Sequence, residues 1–326
     1  MTENTPPAKL DKIFVAGASG MVGGSIAYFL KGKGYANLLC PGSNILDLVD
    51  QKSAEDFFAR EKPTIVILAA ARVGGIGANN RLRAQFIYEN LMIEANVIHT
   101  AFRHNVRKLI FLGSSCIYPR MALQPMKEEY LLSGPLEITN EPYAIAKIAG
   151  IKLCESYYRQ HGCNFFSIMP TNLYGPNDNF DLESSHVIPA LLRRFHEAKT
   201  TAKDKVHLWG TGKPRREFMY VDDLAGAVAF LMEGHNAEDL YENGISHINV
   251  GTGMDITIAE LAERIGELTQ FEGKIEFDPS KPDGTPRKLL DVTRIEEMGW
   301  RHSTPLQDGL KNTYDWFQGT AIARGR

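Results

Sequence analysis

An apolar run, Lys12-Ile13-Phe14-Val15-Ala16, stops at Gly17-Ala18-Ser19-Gly20-Met21-Val22-Gly23, and the pattern turns helical over residues 21–33. A strand that passes through three glycines, spaced G-x-x-G-x-x-G, straight into a helix has few folds open to it. Glycines there permit the tight turn, let the backbone approach a pyrophosphate, and let helix and strand pack closely. The helix N-terminus adds N–H donors and a partial positive charge. A Gly-rich turn is common by itself; in this strand–turn–helix setting it predicts a dinucleotide cradle at Gly17, Ala18, Ser19, Gly20, Met21, Val22 and Gly23.

The alternation continues along the first half. Residues 37–40 read as a second strand ending at the breaker pair Pro41-Gly42, 54–61 as a helix, and 64–69 as a continuous apolar strand. A long helical period follows over 81–105, a strand over 108–113, a helix from Glu141-Pro142 to about 161, and a strand over 163–169. Strands apolar on both faces that alternate with helices predict a parallel sheet covered on both sides. The fold class is therefore α/β, a Rossmann-type doubly wound parallel sheet. After Pro170 the regularity fades into helices at 188–199, 222–233 and 258–269 among Pro, Gly and charged loops. That half reads as a smaller mixed α/β substrate-binding lobe. The expected division is 12–172 for the cofactor domain, with later segments returning to it, and 173–317 for the substrate lobe. Residues 1–11 and 318–326 read as loose termini.

Charge and cysteine usage narrow the class. Lys+Arg 36 against Asp+Glu 39 leaves a net charge of -3 in 326 residues, without the basic excess of a nucleic-acid binder. Cys40, Cys116, Cys154 and Cys163 show no C-x-x-C spacing, so neither a zinc knuckle nor a dithiol motif is expected, and no metal. The polar start with Pro6-Pro7 is unlike a signal peptide. The apolar run 65–71 is far short of the ~20 residues of a membrane-spanning helix. The expectation is a cytoplasmic protein that engages neither membrane nor nucleic acid.

An NAD-specific site places an acid at the end of the second strand for the ribose hydroxyls. Here Cys40-Pro41-Gly42-Ser43-Asn44 stands there, with no acid before Asp47. The missing carboxylate removes the repulsion against a 2′-phosphate and favours NADP, although no arginine stands ready to hold that phosphate.

Tyr143-Ala144-Ile145-Ala146-Lys147 places a phenol and an ammonium four residues apart, on one helix face. Such a pair is by itself an ordinary solvated face. Downstream of the glycine turn it reads as catalytic: the lysine lowers the phenol pKa from about 10, making it a usable proton donor. Leu112-Gly113-Ser114-Ser115 ends the preceding strand at the carboxyl edge, where such folds bind ligands. Ser114 can hold a carbonyl oxygen beside Tyr143, while Ser115 closes the strand end.

This constellation resembles the extended short-chain dehydrogenase/reductase superfamily. Further segments resemble the GDP-L-fucose synthase family: Leu112-Gly113-Ser114-Ser115-Cys116-Ile117-Tyr118-Pro119, Asn140-Glu141-Pro142-Tyr143, Pro170-Thr171-Asn172-Leu173-Tyr174-Gly175-Pro176, Ser185-His186-Val187-Ile188-Pro189 and Lys281-Pro282-Asp283-Gly284-Thr285-Pro286-Arg287-Lys288. The resemblance runs from about residue 12 to 317. It implies two epimerisations and one NADPH reduction of GDP-4-keto-6-deoxy-D-mannose in a single site, in a homodimer whose stretches 81–105 and 143–161 pair. It further implies Cys116 as the base for protons next to the ketone and His186 as the acid. Arg194, Trp209, Arg216 and Asp283 then hold the GDP-sugar, with Lys288 a further cation. Pro170, Thr171, Asn172, Leu173, His186 and Lys147 line the cofactor. The chain departs from some bacterial members at Ser19 and Pro41-Gly42-Ser43, where they carry arginines. Rival readings are a nucleotide-sugar 4,6-dehydratase or 4-epimerase, a reductase of a related GDP-4-keto sugar, and a non-catalytic cofactor sensor. Dehydratases carry an acidic pair after the catalytic Ser/Thr, where Cys116-Ile117 stands here. Sensors lose the Tyr or Lys.

Overall fold

The computed structural model describes residues 7–182, 184–281 and 283–323. The first half runs β1 (Ile13–Ala16), α1 (Met21–Gly32), β2 (Leu38–Leu39), α2 (Gln51–Glu61), β3 (Ile65–Leu68), α3 (Ile76–Arg81), α4 (Arg83–Arg103), β4 (Lys108–Leu112), α5 (Glu141–His161) and β5 (Phe165–Pro170). Its strands are parallel in the order β2-β1-β3-β4-β5, and β9 (Ile248–Val250) adds itself beside β5 from far down the chain. This is the doubly wound sheet that the alternating pattern predicts.

Successive strand residues point to opposite faces, and each face has its own core. Ile13, Val15, Ile65, Ile67, Ile110, Leu112, Phe166 and Ile168 pack with Ile26 and Leu30 of α1 and with α7 (Val221–Gly234). Phe14, Ala16, Val66, Leu68, Leu109, Phe111 and Phe165 pack against α2, α4 and α5. Burial of each of the Val, Leu, Ile and Phe side chains contributes about 1.5–3 kcal/mol. That outweighs local capping, and α1 needs none from a side chain: Gly20 caps it without a side-chain hydrogen bond.

The remaining elements are β6 (Asn172–Tyr174), α6 (Val187–Thr200), β7 (Lys205–Trp209), β8 (Arg215–Tyr220), α8 (Ala237–Tyr241), β10 (Asp255–Thr257), α9 (Ile258–Thr269), β11 (Lys274–Asp278), β12 (Arg287–Lys288), α10 (Thr293–Glu297) and α11 (Leu306–Ala323). β10, β8 and β12 form a sheet with β6 beside β8, and β7 pairs with β11. Leu192, Phe195, Leu261, Ile265 and Leu310 bury the faces of α6, α9 and α11 between them. The two halves are stitched at Glu217. Its carbonyl accepts from Thr171 Oγ1 at 3.3 Å and Asn172 Nδ2 at 2.8 Å, and its buried carboxylate accepts from the N–H groups of Thr252, Gly253 and Leu290.

Local expectations shift in places. The helical period over 81–105 is the single helix α4 over Arg83–Arg103, and the short α3 before it is set off at Leu82 (φ -112, ψ 40), where neither Gly nor Pro marks the break. The strand expected from 163 starts at Phe165. α11 runs to Ala323, through most of the stretch read as a loose tail. Near the other end, Asp11 accepts from Arg107 and Thr64. Residues 1–6, Glu183, Pro282 and 324–326 lie outside the described residues. No described helix is long and apolar enough to cross a membrane.

Candidate active site

The glycine turn lies at the carboxyl end of β1, where the strand order reverses between β1 and β3 and opens a crevice. Gly17 adopts φ +88, and a Cβ on it would stand 2.8 Å from the Ala70 backbone; a Cβ on Gly23 would stand 2.3 Å from the Gly17 carbonyl oxygen. Neither position takes a side chain. The first turn of α1 carries no acidic residue. A cradle of bare backbone at a helix N-terminus fits the pyrophosphate of a dinucleotide.

Beside it, β4 delivers Leu112, Gly113 and Ser114 to the same edge. Ser114 is extended, and its Oγ accepts from the Cys116 N–H at 3.5 Å, capping a short 3₁₀ turn over Ser115–Ile117. Ser114, rather than Ser115, thus closes the strand end. The Ser114 hydroxyl also acts on the Tyr143 phenol and the Cys116 thiol, favouring the ionised form of each. Lys147 is buried, one turn beyond Tyr143. Its Nζ lies 3.1 Å from the Leu112 carbonyl oxygen, 3.1 Å from a Glu94 carboxylate oxygen and 4.7 Å from the Phe111 ring centroid. It is 5.7 Å from the Tyr143 ring centroid. The phenol is consequently not lowered by the lysine as the sequence predicts. Burial pushes it well above its ordinary value, the Cys116 and Glu94 charges add to that, and only the Ser114 hydrogen bond opposes.

The floor beneath the 3₁₀ turn is polar and fully paired: the Tyr118 hydroxyl meets His247 Nε2 at 2.7 Å and donates to Asn249 Oδ1 at 2.5 Å. Burial pulls the His247 pKa from 6.5 down to about 3. The folded protein therefore refuses a proton that the unfolded chain accepts. The associated stability is full above about pH 6.5 and drains as pH falls from there towards 3, by ~1.4 kcal/mol per pH unit. Denaturant unfolding at about pH 7 and pH 5 is expected to show a larger loss for the wild type than for His247→Gln. Equal losses would remove His247 as a cause of acid sensitivity.

Lys288 sits where sequence spacing gives no hint of it. β12 pairs with β8 so that Lys288 lies opposite Arg216, and its charge acts on both Cys116 and His186. Burial pushes the Cys116 thiol up, while Lys288, the Ser114 hydrogen bond and Lys147 pull it down. His186 is exposed at the start of α6, yet the surrounding walls and then Lys288 hold its imidazole below the usual value. The segment before it is anchored across the crevice by the Gly75 N–H, which donates to the Ser184 carbonyl at 2.9 Å. The base and acid candidates thus both feel the charge of one cation, Lys288.

The outer residues divide. Arg194 donates to the His207 carbonyl at 3.2 Å, beside Trp209, which is 69% exposed with Lys281 Nζ 6.0 Å from its ring centroid. Arg216 donates to the Arg215 carbonyl and feels the charge of Asp283. Asp283 accepts from the Thr211 N–H and hydroxyl, so the hydroxyl it holds in this structure is the protein's own. Pro170 ends β5, Thr171 links it to Asn172 and Leu173 of β6, and the Asn172 amide donates to the Glu217 carbonyl. Glu94 escaped the sequence reading. The available signal was a lone acid on the helix stripe of Phe86, Asn90, Val97 and Ala101, all buried.

A model of the NAD dependent epimerase/dehydratase family matches residues 13–251. A GDP-L-fucose synthase from Escherichia coli (strain K12) is 56% identical over 309 residues, covering 94% of this chain and 96% of that protein. The chain belongs to the GDP-L-fucose synthase family. Solved structures agree across the fold. A GDP-mannoheptose C4 reductase from Campylobacter jejuni with NADP bound superposes with a TM-score of 0.89 at 41% identity, covering 96% of this chain and 99% of that one. A GDP-L-fucose synthetase from Naegleria fowleri bound to NADP gives 0.89 at 29% identity, covering 98% and 97%. Ser114, Cys116, Tyr143 and Lys147 thus stand on the turn after β4 and the start of α5, whereas Arg194 lies on α6, Trp209 on β7 and Arg216 on β8, with Asp283 between β11 and β12.

Proposed function

We propose that this protein converts GDP-4-keto-6-deoxy-D-mannose to GDP-L-fucose by epimerisation at C3 and C5 and reduction at C4. The observation that supports the full reading is that the charge of Lys288 acts on both Cys116 and His186, and that Cys116 also feels Ser114 and Lys147. A plain reductase needs only the last three. The cofactor is NADP, and bound at the glycine cradle as NADPH it supplies the hydride for C4. A hydrogen beside a ketone is acidic because the carbanion delocalises into an enolate. Cys116 Sγ, as thiolate beside Lys288, removes it, and His186 returns a proton on the opposite face. Ser114 Oγ holds the C4 oxygen, and the Tyr143 hydroxyl delivers the proton that completes the alcohol. Lys147 sets the charge around that hydroxyl. Arg194 and Arg216 suit pyrophosphate oxygens, and the exposed Trp209 face suits stacking.

The deciding experiment is product analysis by NMR after mixing enzyme, NADPH and GDP-4-keto-6-deoxymannose. GDP-L-fucose is expected. A product with only C4 reduced, or no turnover until a heptose analogue is offered, would replace this reading with the related GDP-4-keto-sugar reductase that the Campylobacter likeness favours. With no acid after β2, kcat/KM is expected to be higher with NADPH than with NADH. The absent arginines limit the margin to the order of tens, at ~1.4 kcal/mol per tenfold. A clear NADH preference would refute it.

A C₂ homodimer through α4 and α5, which lie side by side on one face of the sheet, is the assembly we expect. Light scattering at micromolar concentration tests it, and a monomer would count against it. We place the protein in the cytoplasm, in keeping with four cysteines held as free thiols.

A further inference from the structure

Glu217 is fully buried on β8, one residue past Arg216, and both of its carboxylate oxygens are committed to backbone. Oε1 accepts from the N–H of Thr252 at 2.5 Å and of Gly253 at 2.9 Å, and Oε2 accepts from the Leu290 N–H at 2.9 Å. A Cβ on Gly251 would stand 2.3 Å from Oε1, so the turn after β9 leaves that space to the carboxylate. Burying a carboxylate is costly unless it is hydrogen-bonded; here three N–H groups from two separate segments meet it. Leu290 lies two residues beyond Lys288. The strand that carries Lys288 is short, since only Arg287 and Lys288 pair with β8, opposite Arg215 and Arg216. Past that pairing, the Leu289 N–H donates to Gln124 Oε1 at 2.8 Å and the Asp291 N–H to the Met126 carbonyl at 2.8 Å. Of these three tethers, the one from Leu290 ties the chain after Lys288 back to β8.

We propose that Glu217 is a positioning residue whose carboxylate fastens the strand carrying Lys288 to β8 and so keeps that cation acting on Cys116. The inference rests on Cys116 as the base of the proposed reaction. The two oxygens make the role specific. Glutamine has the same shape but a single acceptor. Turned towards Thr252 and Gly253, its oxygen keeps two bonds, and its NH₂ group then faces the Leu290 N–H, donor against donor. Glu217→Gln therefore releases the chain after β12 while the turn after β9 stays held. The main-chain carbonyl of Glu217, which accepts from Thr171 and Asn172, is unaltered. The groups acting on the thiol are Lys288 from β12, Ser114 from its own turn and Lys147 from α5, and Tyr143 of α5 feels the thiol's charge. Arg216 from β8 and Glu137 from the segment before α5 act on Lys288, and His186 at the start of α6 feels it. Glu217 works through the backbone that it holds.

Titrating the thiol in the protein without substrate tests this. The thiolate ultraviolet absorbance, less that of the same protein carrying Cys116→Ser, isolates Cys116. In Glu217→Gln the thiol is expected to ionise about one pH unit higher than in wild type, and proton exchange at C3 and C5 near neutral pH to slow about tenfold with it. The direction is diagnostic, because removing an anion by itself would ease ionisation of the thiol. Lys288→Met should raise the titration at least as far, and adding Glu217→Gln to it should move the thiol no further. NADPH affinity should hold in Glu217→Gln, where Asn172 keeps its carbonyl partner; affinity lost in step with the thiol shift would mark a loosened fold and overturn the proposal. An unmoved or lowered titration in Glu217→Gln overturns it too, as does a further shift in the double variant. Should Glu217→Gln fail to fold, Gly251→Ala displaces the carboxylate from outside, and an unmoved thiol there overturns the proposal equally. Exchange surviving in Cys116→Ser would sink the base itself, whereas exchange lost in Cys116→Ser with an unmoved titration in Glu217→Gln sinks the role of Glu217 alone.

Discussion

Tyr143→Phe is expected to abolish NADPH oxidation while leaving proton exchange at C3 and C5 of the substrate running. The variant keeps the ring that packs edge-on to Phe86 at 6.4 Å, so the fold around α5 should hold. What it removes is the hydroxyl, and with it the proton for the C4 oxygen. General acids of this kind contribute ~10²–10⁴-fold. Cys116 and His186 are untouched, so the enolate should still form and collapse. A steady-state assay run beside deuterium incorporation from D₂O separates the two halves. Reduction at the wild-type rate would sink the assignment of the donor.

Cys116→Ser should do the converse. The two side chains differ by one atom, but the serine hydroxyl is a far weaker acid than the thiol, so its conjugate base is not formed near neutral pH. Lys288 can draw a thiol towards thiolate against the burial that resists it; it cannot do so for an alcohol. Exchange at C3 and C5 is expected to fall by ~10²–10⁴-fold. Tyr143, Lys147 and the cradle remain, so direct reduction of the unepimerised ketone should appear, giving a GDP-6-deoxy sugar of the wrong stereochemistry. His186→Asn should let protons leave but slow their return on the other face, without unfolding the protein. If Cys116→Ser still exchanges both protons at the wild-type rate, the cysteine is a buried neighbour of Ser114 and another base must be found.

What the sequence made legible follows from how far apart the interacting residues lie along the chain. The glycine turn, the alternating strands and the Tyr143/Lys147 pair are local patterns, and local patterns can be read. The break at Leu82 left no trace because its backbone is allowed to any residue and no Gly or Pro announces it. Lys288 could be carried over only by resemblance, as one cation among those near the GDP. Its position beside Cys116 depends on a two-residue strand finding β8 across more than seventy positions, and no composition encodes that register. Glu94 was hidden for a different reason: an acid in a charged helix reads as solvated until the lysine that meets it is in view. The expected lowering of Tyr143 fails because burial, and after it the charges of Cys116 and Glu94, push the phenol up, and none of these is visible in a local pattern.

The lateness of β12 in the chain has a consequence for the order in which function can arise during synthesis. Ser114, Cys116, Tyr143 and Lys147 leave the ribosome within a span of thirty-four positions, from 114 to 147, and His186 soon after. The sheet that carries them is closed only by β9, and the cation beside the thiol arrives later still. A nascent chain can thus assemble the Ser114, Tyr143 and Lys147 side of its crevice before Lys288 exists, and a fragment ending before residue 288 is expected to lack the proposed proton relay.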